Sequence, residues 1–318
     1  KQSEKTTQKC GLTVKELFEM WLCHIRHKIK DSSYANYLMK LELHIYPAFG
    51  DLKFESITHK SIDGFINEKL SVGRIKGGKL SEKYVSDMVM LLKSLGKFAE
   101  RQYNYENPLR NISAPKTQHK ELLVPPMHEQ RSLINYLLRN PSARNLGILL
   151  CLYTGIRLGE LCAMKWSDVD FDERVLRVNK TAQRIKRFDG DKSTELIIST
   201  PKSARSNREI PLQGFLLSIL AKYQQSSDSY LLSGTDKAVE PRLMQYYFNT
   251  ILKKANLPSF NFHTCRHIFA TNCIAAGFDI KTLSEILGHS TVELTLNRYV
   301  HSSKERKREC MELLKLVS

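Results

Sequence analysis

Four short segments concentrate the residues that can do phosphate chemistry: TGIRLGEL (154–161), TPKSARSNREIPL (200–212), HTCRH (263–267) and LGHSTVELTLNRYVH (287–301). A tyrosine hydroxyl can hold a phosphate covalently, and so conserve the energy of a phosphodiester until another hydroxyl reclaims it. With a free pKa near about 10 it attacks poorly, unless its proton is taken and the charge building on phosphorus is neutralised. Guanidinium forks answer the second need, because they bind phosphate oxygens in bidentate fashion and stay charged. A lone R-x-G-E or H-x-x-R says little. The ordered set, closed by an R-Y whose tyrosine lies ten residues after the histidine of L-G-H, says much more.

In that order and spacing the four segments resemble the tyrosine recombinases, the integrases of phages and conjugative elements, and the resemblance extends over nearly the whole chain. It implies that Arg157 and Arg266 clamp the phosphate and that Tyr299 attacks it. His263 accepts the proton of Tyr299 or orders the phosphate, and His289 donates to a non-bridging oxygen. Lys202, in a turn between strands, reaches the minor groove and protonates the departing 5′ oxygen. Glu160 braces the catalytic groups, and His267 is a buried hydrogen-bonding residue beside them. The reaction so implied runs through a 3′-phosphotyrosine and needs no cofactor, metal or ATP, because one phosphodiester is exchanged for another. Cys265 departs from the pattern, which more often has a bulky aliphatic residue there.

Other readings attach to the same residues. Tyr299 is one of 13 tyrosines, and only its place after L-G-H lifts it above core or surface duty. His263 and His267 stand four apart with Cys265 between them, as metal ligands can. Cys265 points elsewhere on a helix, however, and no further ligand has suitable spacing, so no metal site is expected. Arg205 and Arg208 hold DNA phosphates or structure. A type IB topoisomerase shares the Arg, Lys, His and Tyr chemistry but reseals the same strand. A catalytically silent DNA-binding regulator is the alternative from another class.

The elements that must position these groups read as mainly helical with a small antiparallel sheet. Thr13 and Glu16 have capping-box spacing ahead of Val14, Leu17, Phe18, Trp21, Leu22 and Ile25, which share one helical face. A second helix is expected from about Ser33 to Ile45, ending before Pro47 and Gly50, and two more start near Thr58 and Ser81. Together they form a helical core-binding bundle over 1–107. The loop SVGRIKGGKLS offers Arg74, Lys76 and Lys79 to phosphates, or is simply a solvated turn. An extended linker with Arg110 and Lys116 is expected over 108–126, and a mixed α+β catalytic domain over 127–318. That domain opens with helices from about Met127 to Arg139 and through ARNLGILLCLYT. Alternation at 174–180, 195–200 and 208–212 reads as one short sheet.

The 318 residues carry 49 Lys+Arg against 33 Asp+Glu, a net +16 that favours polyanions, with double-stranded DNA the leading partner. Residues 1–118 hold 20 basic and 13 acidic side chains and the remainder 29 and 20, so a basic tail on a neutral enzyme is excluded. No apolar run approaches the roughly 20 residues of a membrane span. Seven cysteines, none spaced C-x-x-C, argue against a disulfide framework or zinc ribbon and fit the cell interior; the resemblance implies the bacterial cytoplasm, at the nucleoid. The chain opens on Lys1 rather than Met, from which residues upstream are expected, in this family an arm-binding domain.

The tail, 304–318, ends in Met311, Leu313, Leu314, Leu316 and Val317, an apolar cluster too short to stand as a lone helix. By resemblance it docks on a neighbouring protomer of a DNA-bound tetramer; packing in cis is the alternative. The resemblance further implies that the two domains clamp the duplex and that an accessory directionality factor takes part.

Overall fold

The computed structural model describes residues 9–73, 77–116, 124–186, 194–200 and 206–299, with Arg308, Met311 and Glu312; of Lys186 and 297–299 it describes the backbone alone. Two compact units emerge, residues 1–120 with 185–195, and 121–184 with 196–318. Each encloses its own apolar core.

The first unit is helical. Helix α1 (Val14–Ile25) starts where Thr13 accepts the Glu16 N–H at 3.2 Å and Glu16 returns to the Thr13 N–H at 2.7 Å. Val14, Leu17 and Phe18 are fully buried, and Trp21 stacks on Tyr37 with centroids 5.7 Å apart. Helix α2 (Asp31–Lys40) does not end before Pro47. It passes through a π turn (Leu41–Ile45) into α3 (Tyr46–Phe49). Proline has no N–H to give, and its ring collides with the carbonyl four residues back in a regular helix. The widened turn, with Tyr46 N–H bonded to the carbonyl of Leu41, changes the ladder just ahead of Pro47 and carries the chain on. Helices α4 (His59–Val72) and α5 (Glu82–Tyr103) begin where expected, and the structure makes Thr58 and Ser81 their caps.

After α5, Asn107 folds the chain back. Its Oδ1 accepts the Leu109 N–H at 3.0 Å and its Nδ2 donates to Glu100 at 3.1 Å, while Arg110 pairs with Glu100. Leu109 and Ile112 are buried in the first core, so the connector expected from 108 begins only beyond them.

The second unit opens with α6 (Met127–Arg139) and α7 (Ala143–Thr154), the latter buried nearly all round. Helix α8 (Leu158–Cys162) follows three residues later. Strands β1 (Val169–Asp170), β2 (Val175–Val178) and β5 (Arg208–Pro211) form an antiparallel sheet in which Leu176 lies opposite Val169 and Ile210. Strands β3 (Thr181–Lys186) and β4 (Thr194–Ser199) pair separately. The three alternating stretches therefore do not make one sheet. Leu176, Val178 and Ile210 need a covered face, whereas β4 has no buried residue and pairs with its neighbour in sequence. Helices α9 (Gly214–Ala221), α10 (Pro241–Lys254), α11 (Thr264–Ala275), α12 (Ile280–Leu287) and α13 (Val292–Tyr299) complete the unit, with α11 packed on α7. Among the described residues no helix is long and apolar enough to cross a membrane.

Candidate active site

The site is built around the C-terminal end of α12. Leu287 closes the helix, and Gly288 takes the left-handed conformation (φ 63°, ψ 48°) that turns the chain toward His289. The last carbonyls of a helix lack intrahelical partners and carry the negative end of its dipole. Here three arginines reach three consecutive ones: Arg208 Nε donates to Ile286 at 2.6 Å, Arg266 Nη2 to Leu287 at 2.6 Å, and Arg157 Nη2 to Gly288 at 3.1 Å. Three elements distant in sequence are thereby tied to the turn that carries His289.

Arg157 precedes α8, where its N–H donates to Glu160 Oε2 at 2.9 Å and its Nη1 to Oε1 at 2.8 Å. Its side chain keeps 36% of its surface exposed, so the fork can still meet a ligand. Arg266, on α11, is only 2% exposed, and its Nη1 donates to the carbonyl of Gly155 at 2.7 Å. Gly155 is itself left-handed (φ 66°), and a Cβ there would lie 2.5 Å from the ring of Phe269. That turn ends α7 and aims its carbonyl at the guanidinium.

Glu160, 3% exposed, is the charge at the centre. Besides Arg157 it accepts from Arg208 Nη1 at 3.2 Å and Nη2 at 3.0 Å. Burial by itself would raise its carboxyl, but Arg208 and Arg157 outweigh burial and hold it below the usual carboxylate range. Of the two roles open to Arg208, holding DNA phosphates or structure, its surroundings fit the second. The residue is 9% exposed and four of its N–H bonds are spent on Glu160, Ile286 and the carbonyl of Ser206. It is a bracket between β5, α8 and α12.

His263 stands just before α11, exposed, with its ring 4.7 Å from that of His267 and perpendicular to it. His267 is buried. Cys265 lies fully buried among the apolar side chains of the core, where burial drives its thiol pKa far up. Among the described residues no three His, Cys, Asp or Glu side chains converge as metal ligands. His289 is 8% exposed, and its Nδ1 lies 2.7 Å from the hydroxyl of Thr295, itself fully buried.

Tyr299 ends α13, one segment beyond His289; its side chain is outside the described residues. Lys202, Arg205, Arg74 and Lys76 also lie outside them. Lys79 and Lys116 are exposed in the first unit. The structure thus brings Arg157, Glu160, Arg266 and His289 together, and adds Arg208 as a bracket and Thr295 as a partner. Thr295 had a signal in sequence, its position four residues before Tyr299; the carbonyls of Gly155, Ile286 and Leu287 had none.

The phage integrase family profile matches residues 126–306, more than half of the chain, and the N-terminal SAM-like domain of phage integrases matches 13–70. The chain belongs to the phage integrase family. It is a tyrosine-type DNA recombinase. Integrase-family relatives include a XerC-like tyrosine recombinase of Caldanaerobacter subterraneus, 25% identical over 95% of this chain and 83% of that protein. The ICEBs1 integrase of Bacillus subtilis is 22% identical over 98% and 85%. Among solved structures, the Tn1549 transposon integrase in complex with transposon right end DNA shares the fold with a TM-score of 0.77, at 21% identity over 95% of this chain and 99% of that one. A lambda integrase dimer bound to a COC' core site shares it at 0.67, with 19% identity over 92% and 97%.

Proposed function

We propose that this chain is a site-specific integrase of a mobile element, acting on double-stranded DNA in the bacterial cytoplasm. In the proposed step Tyr299 attacks the scissile phosphate, and its phenolic proton passes to His263. The 5′ oxygen leaves with a proton from Lys202. Arg157 and Arg266 neutralise the phosphorane, and His289 donates to a non-bridging oxygen. The 3′-phosphotyrosine is then attacked by a 5′ hydroxyl of the partner duplex, which reverses the step and frees Tyr299. The observation that carries this reading is the convergence of Arg157 and Arg266 on the carbonyls of adjacent residues, with His289 next in the chain. Arg157 keeps about a third of its side-chain surface open (36%) beside Glu160, so its fork can still meet a phosphate.

A duplex nicked beside the cleavage position traps the intermediate. Wild type is expected to form a covalent adduct and Tyr299→Phe none; no adduct from wild type on its own site would defeat the proposal. Mapping the adduct identifies site, polarity and nucleophile together. With two sites, strand exchange gives Holliday junctions or recombinants, whereas relaxation alone would mark topoisomerase action. Residues 304–318 are proposed to dock on a neighbouring protomer of a tetramer, with an accessory factor setting direction. Their removal should impair pairing of sites in a native gel more than binding to one site.

A further inference from the structure

The Nδ1 of His289 and the Oγ1 of Thr295 are 2.7 Å apart, and both side chains are buried. Thr295 stands on α13 four residues before Tyr299, about one helical turn away. We propose that Thr295 is a positioning residue for strand cleavage: its hydroxyl donates to Nδ1, sets the His289 proton on Nε2, and ties that choice to the seating of the nucleophile's helix.

A neutral imidazole holds one proton, and the hydrogen bond at one ring nitrogen decides which nitrogen carries it. With Nδ1 accepting from the hydroxyl, Nε2 is protonated and can donate to a phosphate oxygen. The opposite tautomer would turn a lone pair on Nε2 toward an anion. A hydroxyl in a helix ordinarily faces solvent or bonds back to its own backbone, and a buried one is costly unless bonded. Here it meets an imidazole from the segment that also anchors Arg157 and Arg266 through Gly288 and Leu287. Because the hydroxyl belongs to α13, moving that helix away removes the partner of Nδ1. Phosphate donor and nucleophile are thus readied by one docking event.

The inference rests on the donor role proposed for His289, and the test separates the two. Single-turnover cleavage of the nicked duplex is measured for the full chain and for Thr295→Val, Thr295→Ser, His289→Ala and the His289→Ala/Thr295→Val pair, alongside DNA affinity. Thr295→Val is expected to cleave about tenfold more slowly with unchanged affinity, the scale of one lost hydrogen bond. Thr295→Ser, which keeps the hydroxyl, should recover most of the rate. In the His289→Ala background the valine should cost nothing further, and ¹⁵N spectra should show His289 protonated at Nε2 in wild type and mixed in Thr295→Val. If His289→Ala is slow while Thr295→Val cleaves like wild type, or if the two losses simply add, the coupling is wrong and the donor role of His289 survives. If His289→Ala cleaves like wild type, both fall. Should the valine variant fail to fold, a wild-type His289 protonated at Nδ1 would by itself overturn the inference.

Discussion

At the scale of single residues, Glu160 decides most. It is a buried carboxylate shared by two arginines, and removing one partner of such a group leaves an uncompensated charge in the interior. Glu160→Gln should therefore destabilise the second unit by about 3–5 kcal/mol in urea unfolding, mainly through Arg208, which has little water to turn to. It should also slow cleavage by loosening Arg157. Wild-type stability in this variant would sink the bracket assignment. Because the folded carboxyl is held below its ordinary value of 4.5, its contribution is complete above that pH and is lost as pH falls through the folded value. The melting temperature of wild type should drop below about pH 4.5 more steeply than that of Glu160→Gln. Parallel acid profiles would contradict the assignment.

At the scale of elements, the end of α12 does more than present a histidine. Its left-handed glycine lets the chain turn while three carbonyls stay open to Arg208, Arg266 and Arg157. A side chain at Gly288 would cost about 1–2 kcal/mol for the left-handed backbone alone. Gly288→Ala is expected to lower the melting temperature modestly but to reduce adduct formation at least tenfold, since a shifted carbonyl row misaims both arginines proposed to clamp the phosphate. Equal activity of the two proteins would show that the arginines are aimed by other contacts. The π turn between α2 and α3 teaches the same lesson. Pro47 reads as a helix terminator, yet a local widening lets the rod continue and bury Leu41, Ile45 and Phe49.

At the scale of the whole molecule, the net charge of +16 is spread over the chain rather than confined to a tail. Cations that neutralise phosphates release counterions, so affinity falls as a power of salt concentration. Binding to duplex DNA should weaken by about a thousandfold or more between roughly 50 and 200 mM salt, for both specific and unrelated sequences. A shallow salt dependence in fluorescence anisotropy would argue against extensive phosphate contact. Two separate cores also make two unfolding transitions the expectation, and Glu160→Gln should move only one of them.

The sequence by itself determined the helical caps at Thr13, Thr58 and Ser81, because a capping side chain and its N–H partner lie within one turn. It also determined the reaction class, since Arg157, Glu160, His263, Arg266, His289 and Tyr299 are unusual as an ordered set. What only the tertiary structure decided were partnerships between distant positions. Arg208 could be read as holding DNA phosphates or structure, and nothing local chose between the two, because the acceptors of its guanidinium are 48 and 78 residues away. The strand at 194–199 looked like part of the main sheet, yet periodicity names a strand without naming its partner. The pairing of the Thr295 hydroxyl with His289 likewise came only with the fold, which brings α13 against the turn after α12. Side-chain pattern reports what a residue can do within a turn or two; carbonyl acceptors and sheet partners are chosen by packing.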